Sequence, residues 1–127
     1  MFLVATLFLA GLCYGSQEGT ENTIALTLIL TDWAQTRAMA RQPAYDWEPL
    51  ENSPGYYTWR EQWRENNPLL GRHPSEGKVN TYFALSVLTY LVVQDALPEK
   101  YASLYRKGII LLEVTCVSQN LSIGVRF

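Results

Sequence analysis

The fold is decided by SEGKVNTYFALSVLTYLVVQDALPEKYASLYRKGIILLEVTCVSQN, the stretch from Ser75 to Asn120. It contains two long apolar segments that are separated by only a few residues around Pro98. Ser75 is a favourable N-cap, and proline suits the first turn of a helix, where its missing N–H would have no partner. Because a short connection makes neighbouring helices antiparallel, the sequence predicts a helical hairpin with helices over about 75–96 and 98–119.

A third long helix is predicted upstream, over about 22–42, in the stretch NTIALTLILTDWAQTRAMARQ. Asn22 or Thr23 can cap its start. Pro43 ends it, because the residue before a proline disfavours helical backbone angles. The chain is therefore expected to be an all-α protein.

A short amphipathic helix is predicted between these elements, over about 54–67, and it ends before Pro68. Tyr56, Trp59 and Trp63 follow one another at helical spacing and would share one face. Indole and phenol groups have an apolar body and a polar edge, so this face suits a membrane interface. The alternative is that these aromatic side chains pack on the other helices.

The chain has 127 residues, which is enough for one domain at most. Residues 1–15 carry an apolar core that is short for a membrane span and typical of a secretory signal peptide. The small residues Cys13 and Gly15 precede a favourable cleavage point, although no Lys or Arg precedes the core. Residues 1–15 are therefore a signal peptide or an N-terminal membrane segment, and 16–127 form a single helical domain.

Composition excludes several classes of function. The formal net charge is −2, and the basic residues alternate with acidic ones, so nucleic-acid binding is not expected. Cys13 and Cys116 are the two cysteines, which argues against a disulfide framework or a cysteine-based zinc site. No nucleotide-binding, serine-hydrolase or metalloprotease motif is present, and we expect no metal and no cofactor.

The long apolar segments are marginal as membrane spans. Val79–Leu97 carries polar residues near its ends, and Glu113 interrupts the apolar run of the last helix. Either the chain is a membrane protein whose ionisable groups face inward, or it is a soluble helical domain with an apolar core. Of these two interpretations, membrane association is the one we expect.

Asp32 and Glu113 each lie within an otherwise apolar helix, where a carboxylate is costly to bury without partners. The connector from Arg64 to Lys78 is the densest source of polar partners. We expect it to fold back over the helices, bringing Glu65 and Asn67 close to Asp32, Gln35 or Asn80. The predicted polar cluster comprises Asp32, Gln35, Thr36, Arg37, Glu65, Asn67, His73, Asn80 and Glu113.

This cluster has two interpretations. In the structural one, its hydrogen bonds tie the helices together and satisfy the backbone groups that helix ends leave free. In the other, the protein is a membrane-facing enzyme or a metal-binding protein. It would then use Asp32, Glu65, His73 and Glu113 as acid–base groups or metal ligands.

Several short motifs, TDWAQTR, ENNPLLGRHPS, NTYF and NLSIG, together with Glu113, resemble a set shared by small uncharacterised envelope proteins of bacteria and their phages. The shared patterns are D-W-x-Q-T-R, E-x-N-P-L-L-G-x-H-P-S and N-x-Y-F. The resemblance brings no activity, but it implies a bacterial or phage source and an envelope location. It also implies that side chains from these motifs converge in space, namely Asp32, Glu65, Asn67, His73, Asn80 and Glu113.

These observations predict a small membrane-associated helical protein of a bacterial or phage envelope. Its role is expected to be structural or interactive rather than enzymatic, for example in phage lysis or superinfection exclusion. Its expected partners are membrane lipid or another envelope protein, and its expected location is membrane-associated or periplasmic.

Overall fold

The computed structural model describes residues 17–124, which form three α-helices and one β-hairpin. The predicted N-terminal segment, 1–15, lies outside the described residues. The expectation of a mostly helical chain is confirmed, but the chain is not all-α, because it also contains a two-stranded sheet. The elements are α1 (Gln17–Ala40), β1 (Tyr45–Pro49), β2 (Tyr57–Glu61), α2 (Glu76–Ala96) and α3 (Glu99–Ser122).

The helices α2 and α3 follow each other with only Leu97 and Pro98 between them. The hydroxyl of Ser75 caps α2 by accepting a hydrogen bond from the backbone N–H of Lys78, at 3.3 Å. At the start of α3 the carbonyl of Pro98 accepts from the N–H of Ala102, at 3.0 Å. The start of α2 therefore follows from its capping residue, and α3 begins directly after Pro98.

The helix α1 packs against both α2 and α3, whereas α2 and α3 touch each other less. The Tyr90 hydroxyl donates to Asn22 at 2.7 Å, and the Trp33 indole donates to Asn80 at 2.9 Å, so α1 and α2 are antiparallel. The core lies between the three helices and the connector, and consists of Ala25, Ile29, Leu70, Val79, Phe83 and Tyr90.

The predicted helix over about 54–67 is wrong. Residues 57–61 form β2, which pairs antiparallel with β1 in a register that places Trp47 directly opposite Trp59. The two indole rings meet edge to face with their centroids 4.9 Å apart. Aromatic residues favour strands, and cross-strand aromatic pairs stabilise them. Gly55, at a φ of 88°, supplies the left-handed backbone needed in the turn.

Candidate functional site

A cavity of about 580 Å³ lies where α1, α2, α3 and the connector meet. We call it the carboxylate cavity, because Asp32 from α1, Glu65 from the connector and Glu113 from α3 all line it. The apolar part of its wall comes from Met39, Leu70, Tyr82, Phe83 and Leu112.

Asp32 is held at the cavity wall by a side chain from the end of α3. Its side chain is only 9% exposed, and the amide of Asn120 donates a hydrogen bond to its Oδ1 at 2.7 Å. The same amide nitrogen lies 3.3 Å from Oε1 of Gln35, which is fully buried. Asn120 therefore joins α3 to two polar side chains of α1.

Burial raises the pKa of both carboxyl groups that the helices contribute. The pKa of Asp32 rises to about 6, first by desolvation and then by the charge of Glu65, against hydrogen bonds from Asn120 and Thr36. The pKa of Glu113 rises to about 7, by desolvation and by the charge of Asp32. Oε2 of Glu113 is shielded from solvent and has no hydrogen-bond partner among residues 17–124.

The connector holds its own cavity-lining residues in place through local hydrogen bonds. Oε1 of Glu65 accepts from the backbone N–H of Asn67 at 2.8 Å, and Oδ1 of Asn67 accepts from the N–H of Leu69 at 3.0 Å. Gly71, at a φ of 82°, lets the chain reverse, so that the carbonyl of Arg72 accepts from the N–H of Glu65. The polar density of this segment thus serves the turn as well as the cavity.

The structure brings together part of the predicted polar cluster. Asp32, Thr36, Glu65, Asn67 and Glu113 line the carboxylate cavity, and Gln35 is linked to it through Asn120.

The other three members lie elsewhere. Arg37 pairs with Glu76 at 2.6 Å, Asn80 accepts from Trp33, and Nε2 of His73 lies 2.9 Å from the carbonyl oxygen of Trp63. His73 lies beside the β-hairpin and not at the carboxylate cavity, because it follows the turn at Gly71.

Sequence reasoning missed Asn120, which makes the shortest hydrogen bond to Asp32. The spacing of the last helix contained the signal, because Asn120 follows Glu113 by seven residues and therefore lies on the same helical face. It also missed a buried ion pair at the other end of the bundle. There Arg106, 1% exposed, donates to Glu21 at 2.9 Å and to Glu99 at 2.7 Å.

We expect Asp32→Asn to be tolerated and Asp32→Ala to lower the free energy of unfolding by about 1–3 kcal/mol. Asparagine keeps an acceptor for Asn120 and needs no buried charge, whereas alanine leaves the half-buried amide of Asn120 without its closest partner. Urea denaturation at pH 7 of both variants measures the difference. An alanine variant as stable as wild type would mean that the hydrogen bond from Asn120 contributes nothing.

Large apolar side chains are exposed on the outer sides of two helices. We call Leu85, Leu88, Leu91 and Val92, which are 40–59% exposed, the outer face of α2. The outer face of α3 consists of Leu104, Leu111 and Val114, which are 43–71% exposed.

The predicted aromatic interface of Tyr56, Trp59 and Trp63 does not form one helical face. Tyr56 lies in the hairpin turn and Trp59 in β2, and both are more than half exposed. Trp63 is half-buried, and its indole donates to the carbonyl of Gln42 at 3.2 Å. Trp47, opposite Trp59, is also exposed, so the hairpin presents an aromatic surface of a different composition.

None of the helices within residues 17–124 combines the length and the apolarity that crossing a bilayer requires. In the same part of the chain, no group of three or more His, Cys, Asp or Glu side chains is arranged to hold a metal ion. Comparison of the chain with known protein families, with curated proteins and with solved structures found no match.

Proposed function

We propose that this chain is a non-enzymatic, membrane-associated protein that binds the lipid surface of a bacterial or phage envelope through the outer faces of α2 and α3. The observation that carries the proposal is the apolar character of these exposed faces. The envelope location rests on the sequence resemblance alone, and lysis and superinfection exclusion are concrete versions of such a role.

The outer face of α2 is costly to leave in water. Leu85, Leu88 and Val92 are each 57–59% exposed, and they recur at the spacing of one helical face. No charged residue lies between Val79 and Gln94. Burial of apolar surface contributes about 25 cal/mol per Å², and continuous exposed apolar patches are typical of interaction or membrane surfaces.

Lipid fits this surface better than a single protein partner, because the exposed apolar residues are spread over both α2 and α3 rather than confined to one patch. Two of the exposed hydroxyls on these helices also need no water. The Thr81 hydroxyl donates to the carbonyl of Gly77 at 3.0 Å, and the Thr115 hydroxyl donates to that of Leu111 at 2.9 Å. Such internal hydrogen bonds satisfy polar groups in an apolar surrounding.

Flotation of the purified full-length chain with phospholipid vesicles tests the proposal. Wild type should float with the vesicles, and Leu88→Glu should reduce the bound fraction about tenfold, because a charge in the acyl region costs roughly 2.5 kcal/mol or more. The matched control is Gln42→Glu, which adds the same charge at an exposed polar position and should float like wild type. Circular dichroism verifies that both variants keep their helices.

Both variants keep the apolar segment 1–15, which can itself bind lipid, so a difference between them reports the outer face of α2 and not that segment. Equal flotation of Leu88→Glu and wild type would contradict a role of the outer face of α2. Wild type that stays unbound and elutes as a dimer would also contradict the proposal, since a second copy would then cover these faces.

A further inference from the structure

We propose that the carboxylate cavity binds the ammonium group of a primary alkylamine, with its apolar chain lying along the cavity wall. This inference goes beyond membrane association and does not depend on it. Its basis is the cavity, the carboxyl groups that have no cationic partner among residues 17–124, and a carboxylate group that has an unpaired oxygen in the same range, which meet at one place in the fold.

The cavity has the size and the lining of a small-molecule site. Its volume of about 580 Å³ lies within the range of roughly 300–1,000 Å³ that is usual for ligand pockets. Leu70 and Phe83, which are almost fully buried, belong both to its wall and to the hydrophobic core. The wall is therefore built on packed residues and is apolar enough to receive an alkyl chain.

The carboxyl groups in the cavity have no cationic partner within the described part of the chain. Asp32 is nine-tenths buried, yet none of the ion pairs among residues 17–124 involves Asp32, Glu65 or Glu113. Arg64 also lines the cavity, but its side chain is exposed and makes no ion pair in this range. A buried carboxylate without a counter-charge favours a cationic ligand.

Glu113 supplies an independent indication of a ligand donor. Its Oε2 atom is shielded from solvent and receives no hydrogen bond from any described residue. Buried polar atoms are nearly always paired, so the carboxyl group of Glu113, which lines the cavity, retains hydrogen-bonding capacity for an incoming donor. A primary ammonium group carries a positive charge and three N–H donors, so it can supply the donor that the Glu113 carboxyl group lacks.

An organic cation fits this site better than a metal ion. The carboxyl groups converge on the cavity, but within residues 17–124 they are not arranged as a set of metal ligands. The apolar wall gives no oxygen ligands, whereas it suits the carbon chain of an amine. The charged and titratable groups facing the cavity are Asp32, Arg64, Glu65, Tyr82, Glu113 and Cys116.

Isothermal titration calorimetry of the purified full-length chain with hexylamine at pH 8 tests the inference. Hexanol is the matched neutral probe, because it has the same chain length and lacks the positive charge. Hexylamine should bind about tenfold more tightly than hexanol, since a charge-assisted hydrogen bond is worth more than a neutral one. Glu113→Gln should weaken hexylamine binding about tenfold, while Glu51→Gln, at an exposed position of the hairpin turn, should leave it unchanged.

A second variant keeps the test independent of any effect of Glu113→Gln on folding. Ser86 lines the cavity from α2, so Ser86→Leu should fill part of the space and weaken binding without changing the charge. Equal affinities for hexylamine and hexanol would overturn the inference, and so would the absence of hexylamine binding. Unchanged binding by both Glu113→Gln and Ser86→Leu would place the amine on another surface and overturn it as well.

Discussion

Replacing Arg106 with alanine should lower the free energy of unfolding by about 3–5 kcal/mol, the usual cost of removing one partner from a buried ion pair. Arg106 is 1% exposed, and its guanidinium donates to Glu21, which is 7% exposed. Burial alone would raise the pKa of Glu21, but hydrogen bonds from Arg106, Gln17 and Ser103 hold it below its ordinary value. Without the guanidinium, Glu21 remains buried as a carboxylate that has lost its principal partner.

Urea denaturation with a neighbouring control measures this effect. Lys107 lies 3.5 Å from Glu21 but is 57% exposed, so Lys107→Ala should cost about 0–1 kcal/mol. The double variant Glu21→Leu/Arg106→Met should recover much of the stability lost in Arg106→Ala, because neither buried charge remains. A loss in Arg106→Ala no larger than that in Lys107→Ala would show that the pair does not hold α1 to α3.

Stability should fall as the pH rises from about 4.5 to 7, by on the order of 2–4 kcal/mol. Asp32 and Glu113 have pKa values of about 6 and about 7 in the folded chain, above their ordinary values of 3.8 and 4.5. In that interval the folded state binds more protons than the unfolded state, so rising pH favours unfolding. The loss should be complete once the pH exceeds the folded pKa of Glu113.

Two other carboxyl groups make the fold more stable as the pH rises, but they do so at lower pH. The pKa of Glu76 is lowered to about 2 by Arg41 and Arg37, and that of Glu21 is also lowered, so their contributions are lost only below about pH 4.5. Denaturation midpoints between pH 5 and 8 therefore exclude the contributions of Glu76 and Glu21.

The double variant Asp32→Asn/Glu113→Gln should remove the decrease in stability between about pH 4.5 and 7. The control variant Glu51→Gln should retain this decrease. The same decrease in the double variant would mean that other groups cause it.

The two C-terminal helices were predictable because their signals are local. Ser75 and Pro98 lie next to the helices they start, and the observed bounds of α2 and α3 differ from the predicted ones by only a few residues. The sequence predicts too late a start for α1, because Asn22 is a favourable capping residue, whereas the helix extends back to Gln17. Long helices of strong periodicity are the elements that a single sequence specifies best.

The β-hairpin was not predictable by the same reasoning. The spacing of Tyr56, Trp59 and Trp63 also fits one helical face, and nothing local shows that Trp47 will lie opposite Trp59. Strand pairing depends on a partner that is distant in sequence, and strand propensity is strongly dependent on context. Helical spacing alone was therefore a misleading signal for this aromatic segment.

The candidate site was predictable to the extent that its residues are costly to bury. A carboxylate inside an apolar helix is costly to bury without partners. This cost indicates Asp32 and Glu113, which both line the cavity. The same cost does not indicate where His73 lies, because the direction of the chain after Gly71 depends on the packing of the connector. It also does not indicate Asn120, because an amide near a helix end carries no such cost in the sequence.

We propose that the outer faces of α2 and α3 contact lipid, and a spin label on the outer face of α2 tests this contact. Leu88→Cys carries the label, Gln42→Cys serves as the control, and serine replaces Cys13 and Cys116. With vesicles present, the label at position 88 should be more accessible to oxygen, which concentrates in lipid, than to a water-soluble nickel complex, and the label at position 42 should show the reverse. Equal relative accessibility at the two positions would rule out lipid contact at the outer face of α2.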